Sequence, residues 1–280
     1  MKKNTKHRQG GFMQTDMHEK NREVYLDQQI IKEYVDQDYL FAPEQKVVEI
    51  LKDRLSDFTM LDIGVGAGRT TTHFAPLVKR YEGIDYSEEM LGICKKRFSG
   101  SDNNINLQLG DMRSLDMFDD NTFDFTLISY NAISALTHED RLKTFSEVKR
   151  VGKPAGYFYF SAHNLQWVPR VLLNFTRQIS WTHPKVTYWN LLKWLKAYKH
   201  NDPAVIKHLQ DLPYAIINDG AHDFRLLHYY IKPREQVRQL SDYFTDIRVF
   251  GHDGHELVGD SELDSNVDGY LHYLCTIPEK

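Results

Sequence analysis

The sequence predicts an α/β protein: a mostly parallel sheet with helices on both faces and a helical insertion after the fifth strand. Three observations predict it. From Met60 to Arg69 an apolar run ends in Asp62, glycines follow at Gly64, Gly66 and Gly68, and Thr70-Thr71-Thr72 continues as a helix start. From Thr59 to Ala162 apolar runs alternate with helix-compatible stretches, as a parallel sheet requires. After Ala162 the alternation stops, and all four tryptophans lie between Leu165 and Leu212.

In chain order, residues 1–22 are rich in Lys and Arg, include Gly10-Gly11 and lack periodicity, which reads as a mobile tail. Residues 23–58 carry apolar positions at helical spacing, Ile30, Ile31, Tyr34 and Val35, then Val47, Val48, Leu51 and Leu55, with Pro43 opening the second helix. Thr59 to Ile63 is the first strand. The second, Arg80 to Ile84, ends at Asp85, and Ser87 caps a helix from Glu88 to Phe98. Leu107 to Met112 ends a third strand, and Phe123 to Asn131 is a buried fourth one with a polar end. Thr137, with Asp140 three residues on, opens a helix running to Arg150. Lys153 to Gly156 is a turn before the fifth strand, Tyr157 to Ala162.

Residues 165–231 form the insertion. Between 165 and 210, seven Lys or Arg face one acid, Asp202. Val168, Val171, Leu172, Phe175 and Ile179 make one helical stripe, and Tyr188, Leu191, Leu192, Leu195 and Tyr198 another, with Lys193, Lys196 and Lys199 opposite. The stripes pack on the core or form a lid around an acidic or amphiphilic substrate; the basic and aromatic composition also allows contact with a membrane surface. Residues 232–280 return to the core with a helix after Pro233, a sixth strand from Ile247 to Gly251 and a seventh from Tyr270 to Ile277. Between those strands, 252–268 is an acidic hairpin loop. Its start at Asp264 imitates a calcium loop, but the twelfth position is Cys275 instead of Glu, so no metal is assigned.

The 280 residues, 41% hydrophobic, suffice for one large α/β domain and one elaboration. No run of 18 apolar residues or apolar leader core occurs, so the expectation is a cytoplasmic protein. Cys94 and Cys275 have no metal or redox spacing and read as packing residues. A net charge of −4 gives no general attraction to nucleic acid.

The glycine turn brings backbone close to a ligand at a helix N-terminus. A dinucleotide site wants G-x-G-x-x-G, whereas the second interval here is one residue short. Asp62, placed before the turn, would repel a pyrophosphate but suits an ammonium group, which points to S-adenosylmethionine. Asp85, 21 residues after Gly64, is placed to accept ribose hydroxyls. Asp111 and Met112 suit the adenine amino group and ring face.

In these motifs, Asp62 to Gly68, Asp85 with Tyr86 to Met90, and Asp111-Met112, residues 44–160 and the last strands resemble a class I S-adenosylmethionine-dependent methyltransferase. The resemblance implies a Rossmann-like sheet of seven strands with one antiparallel. It implies cofactor contacts from Asp62, Gly64, Gly66, Gly68, Arg69, Asp85, Tyr86, Met90, Asp111, Met112, Ser129 and Tyr130. The N-terminal helices would cap the site, with Tyr25, Tyr34 and Tyr39 toward substrate; Asn131, His163, Trp167 and Tyr229 are further substrate candidates. His222 could accept a proton from a nucleophile, and Tyr130 is the other catalytic candidate. The expected reaction is methyl transfer to N, O, S or C of a small organic molecule. An RNA methyltransferase and a non-catalytic binder of the cofactor remain alternatives, and a nicotinamide oxidoreductase is disfavoured by the glycine spacing.

Overall fold

A computed structural model of the chain describes residues 17, 20–100, 104–172 and 184–279. Helical residues 20–25 lead into α1 (Gln28–Val35) and α2 (Ala42–Leu51), which stand before strand β1 (Thr59–Ile63). The core then runs α3 (Arg69–Phe74), β2 (Arg80–Asp85), α4 (Glu88–Arg97), β3 (Ile105–Leu109), β4 (Phe123–Ile128), α5 (His138–Val151) and β5 (Gly152–Asn164). Ser87 and Thr137 cap α4 and α5 by accepting from the N–H groups of Met90 and Asp140. Beyond β5 come α6 (Val168–Leu172), α7 (Pro184–His200), α8 (Pro203–Lys207), β6 (Tyr214–Ile217) and β7 (His228–Ile231). The chain closes with α9 (Pro233–Leu240), β8 (Thr245–Phe250), β9 (Glu256–Leu257), α10 (Gly259–Ser265) and β10 (Tyr270–Thr276).

All strands join one sheet in the order β3-β2-β1-β4-β5-β10-β8-β9, with β7 on β5 and β6 on β7. Strands β1 to β5 are parallel, and β10 runs antiparallel to both its neighbours. The seven expected strands are present, and β6, β7 and β9 are added. Each of these has only two to four residues, too few to display a period of two. Strand β5 starts earlier than expected, because Lys153 to Gly156 bulges within the strand: Gly152 pairs with Phe123 and Tyr157 with Phe125.

Alternation along β5 divides the core. Phe158 and Phe160 face one layer with Phe145, Phe244 and Leu271, while Tyr159 faces the other with Val47, Phe74, Tyr81 and Phe125. A third cluster, Leu165, Val168, Ala197, Ile206, Leu209, Ala215, Ile217 and Tyr230, holds the insertion against the end of β5.

Three expectations change. The mobile tail cannot extend to residue 22: Asn21 is 2% exposed and binds the carbonyls of Ala135 and Leu227 and the N–H of Leu227; residues 1–16 lie outside the described residues. The insertion is not wholly helical, since β6 and β7 extend the sheet. Of its second stripe, Tyr188 and Leu195 are exposed, whereas Tyr198 packs on the third cluster; Phe175, Ile179 and Trp181 lie outside the described residues. The acidic stretch 252–268 is not a bare hairpin loop: it folds into β9 and α10, and Arg234 bridges Asp260 and Asp264 at 2.8 and 3.1 Å.

Candidate active site

A pocket opens where the strand order reverses between β1 and β4, at the carboxyl ends of β1 to β4. Its floor is the glycine turn. Gly64 and Gly66 have φ of 77° and 56°, a region that favours glycine. A Cβ on Gly66 would lie 3.4 Å from Met90 Cε, and one on Gly64 3.5 Å from Ala132 Cβ. Both neighbours line the pocket, so side chains there would fill the cradle. Gly68 does something else. Its φ of 91° starts α3, and a Cβ would fall 2.5 Å from Phe98 Cε2, so it lets α3 and α4 approach and does not line the pocket.

Asp62 sits beneath the turn, fully buried. Its Oδ2 accepts from Thr70 Oγ1 and Tyr81 Oη, while Oδ1 has no hydrogen-bond partner among the described residues. Burial pushes its pKa up to about 6, against the pull of those two hydroxyls. Asp85 lies at the pocket wall, where Oδ1 accepts from Ser87 N–H and Oδ2 from Gly66 N–H, each at 2.8 Å. The Tyr86 N–H bonds this carboxylate too; with two acceptor sites on each oxygen, the group retains capacity for a hydroxyl donor.

Tyr86, Met90, Asp111, Met112, Arg69, Ser129 and Tyr130 also line the pocket. Asp111 is gripped by Arg113 at 2.6 Å. Arg69 is turned away from an anion: it donates to both oxygens of Glu44, to Ser129 Oγ and to the Tyr39 carbonyl.

The roof comes from the N-terminal segment. Tyr34 lies edge-on to Tyr130 at 5.7 Å and to Tyr25 at 6.5 Å, and Gln37 Nε2 donates to Tyr130 Oη at 3.3 Å. His222 Nε2 is 3.3 Å from Tyr34 Oη, and its Nδ1 is 3.6 Å from Glu33. His222 thus stands behind Tyr34 and is not among the residues lining the pocket.

Five substrate candidates fall elsewhere, among them Tyr39, which is exposed and outside the pocket lining. The N–H of Asn131 donates to Ser161 Oγ. Trp167 packs in the third cluster. Tyr229 is buried against Arg141, 4.5 Å from its ring, and bonds His138. His163 meets Asp219 and His228 beyond the roof. Sequence reasoning missed Glu44 and Asn21, whose roles depend on partners far along the chain; only the position of Glu44 three residues after Phe41 marks it, as half of a capping box.

The donor set suits S-adenosylmethionine in an open glycine cradle and a carboxylate with acceptor capacity for a ribose, while Asp62 is fully buried and stays outside the pocket lining. The comparisons agree. Residues 60–156 match the sequence profile of a family described as a methyltransferase domain. The Bacillus subtilis protein YqeM, named as a methyltransferase, is 36% identical over 106 residues, covering 38% of this chain and 42% of its own length. Another Bacillus subtilis protein named as a methyltransferase, YcgJ, is 31% identical over 146 residues, covering 51% of this chain and 53% of its own. The match thus spans about half the length of these curated relatives. A solved structure of an S-adenosylmethionine-dependent methyltransferase from Methanosarcina mazei superposes with a TM-score of 0.53 at 20% identity, over 82% of this chain and 98% of that one. At that identity the likeness speaks for the fold. Among the described residues no helix is long and apolar enough to cross a membrane. The glycine cradle lies within residues 60–156, the segment that matches the methyltransferase-domain profile.

Proposed function

We propose that this chain transfers a methyl group from S-adenosylmethionine to a nucleophilic N, O, S or C atom of a small organic molecule. The observation that supports a small acceptor is the roof: Tyr25, Tyr34, Gln37 and Tyr130 close together over the glycine cradle. A structured RNA would have to displace that cluster, and among the described residues only Arg22 and Arg69 bring positive charge to the pocket lining, Arg69 being neutralised by Glu44.

When bound, the cofactor supplies a methyl carbon on a positively charged sulfur, already activated for displacement. The residues of this chain then have mainly to position. Asp85 would hold the ribose hydroxyls, and the N–H groups at the glycine turn the methionyl part. Asp111 and Met112 would hold the adenine. Holding two reactants in line is worth roughly 7–11 kcal/mol of barrier, and the aromatic roof excludes water that would compete. Tyr34 touches the acceptor space, while His222 serves as a positioning and proton-accepting partner behind it.

The test is incubation of the purified chain with methyl-labelled cofactor and a cell extract, followed by separation into small-molecule and RNA fractions. Label in the small-molecule fraction is expected. Label confined to RNA would establish the alternative acceptor class, and tight cofactor binding without S-adenosylhomocysteine would identify a binder without activity.

A further inference from the structure

We propose that His163, Asp219 and His228 form a binding site for one divalent first-row transition-metal ion, where β5 meets β7 and the segment after β6. Each side chain offers one ligand atom, and the three atoms lie within 4.8 Å of one another. An ion with bonds of about 2.0–2.2 Å sets tetrahedral ligand atoms about 3.3–3.6 Å apart, so side-chain rotations would have to draw the widest-spaced pair together by about 1–1.5 Å.

The backbone holds the three groups together. In the parallel pairing of β5 and β7, His163 is opposite Tyr230, and its ring stacks on Tyr230 at 4.8 Å. His228 precedes Tyr230 by two residues and therefore shares its face; the two histidine rings are 4.8 Å apart. Asp219 follows β6, the antiparallel partner of β7. Its Oδ1 accepts from Ala221 N–H, and its Oδ2 contacts His228 Nδ1 at 2.8 Å and accepts from Tyr230 Oη at 2.7 Å.

Charge gives the second line of argument. The Asp219 side chain is only 13% exposed, and among the described residues no Lys or Arg pairs with it. A dication would bring positive charge to this shielded carboxylate. Two nitrogens and one oxygen select zinc, iron, cobalt or nickel over magnesium or calcium, which prefer oxygen alone. Tyr230, on the carboxylate, is the outer group that orients a ligand.

None of the three residues lines the cofactor pocket, so the site stands whether or not the methyltransferase reading does. Three protein ligands leave a coordination position open. Tyr25 lines the pocket and feels the Asp219 charge, which puts the site next to the acceptor space.

The full chain, stripped with a chelator, is titrated with zinc alone by calorimetry, and separately with cobalt while its visible absorption is followed. One equivalent of zinc and a cobalt spectrum of nitrogen and oxygen ligation are expected. Asp219→Asn and His228→Ala should abolish both, and Tyr230→Phe should weaken zinc binding about 10- to 100-fold. Circular dichroism and cofactor binding report whether each variant folds; should the variants fail to fold, the cobalt spectrum of the unaltered chain decides alone. Absence of zinc uptake by the unaltered chain, or equal affinity in folded Asp219→Asn, would overturn the proposal and leave a hydrogen-bonded histidine–aspartate pair.

Discussion

Arg69 and Glu44 form a two-pronged ion pair, with Nη2 on Oε1 at 2.7 Å and Nη1 on Oε2 at 2.8 Å. Glu44 is fully buried and Arg69 is 8% exposed. Glu44 Oε2 also accepts from the N–H of Phe41 at the start of α2, and Arg69 is the first residue of α3 after the glycine turn. One pair therefore fastens the N-terminal helices to the cofactor floor.

Removing one member of such a pair strands the other as an uncompensated charge, at a cost of about 3–5 kcal/mol. Glu44→Ala should lose stability of that order in urea unfolding and weaken cofactor binding as the segment carrying the roof loosens. A loss below about 1 kcal/mol would put the pair in the class of exposed ones.

Two glycines separated by one residue should answer differently to the same change. Gly66→Ala points a methyl group into the cradle, where the nearest atom is 3.4 Å away. It should cost the cofactor at least an order of magnitude in affinity, and strain at φ of 56° should add a loss of stability of its own. Gly68→Ala meets Phe98 at 2.5 Å with φ at 91°. Its effect should fall on stability, about 1–3 kcal/mol from strain and overpacking. Calorimetry and urea unfolding on both variants separate the two roles.

That contrast shows which residues could be read from the sequence. Gly64, Gly66, Asp85, Asp111 and Ser129 sit at ends of successive strands, where local pattern and topology together fix a shared edge. Tyr229 was less legible because the choice depends on strand parity: His228 and Tyr230 face the end of β5, while Tyr229 turns to Arg141. A polar stretch of unknown register does not reveal its parity. Glu44 looks like any solvated helix residue until Arg69, 25 positions away, is brought to it.

Asp62 makes stability depend on pH in the direction opposite to a salt-bridged acid. Its folded pKa, about 6, lies above the ordinary 3.8, so the folded chain holds the proton more tightly than the unfolded one. Stability from this group is present below about pH 4 and is lost as pH rises toward 6, by on the order of 3 kcal/mol. Asp62→Asn keeps an acceptor for Thr70 and Tyr81 without a charge. Its stability relative to the unaltered chain should rise between pH 4 and 7, and a difference independent of pH would show that Asp62 is ionised at no cost.

Asp85 should carry cofactor affinity directly. Asp85→Ala removes the acceptor for Gly66 N–H and Ser87 N–H as well as for a ribose, and a loss of about 1.5–3 kcal/mol is expected for hydrogen bonds to a charged group. Calorimetry with S-adenosylmethionine and with S-adenosylhomocysteine should register it equally. Affinity within twofold of the unaltered chain would remove Asp85 from the site.

Tyr34 and His222 should act as one unit if the acceptor sheds a proton during transfer. Burial raises the Tyr34 pKa well above its ordinary value, so the phenol stays protonated and can pass a proton only by giving its own to His222 Nε2, 3.3 Å away. Tyr34→Phe breaks that path at the pocket, and His222→Ala breaks it one bond further out. Each should lower kcat by about 10²-fold, the lower range for general base catalysis, with cofactor affinity retained. The double variant should be no slower than the worse single one, because groups that work in series are lost together. Additive losses would instead mean that the two residues act separately, Tyr34 by packing on Tyr130 and His222 by holding the segment around it.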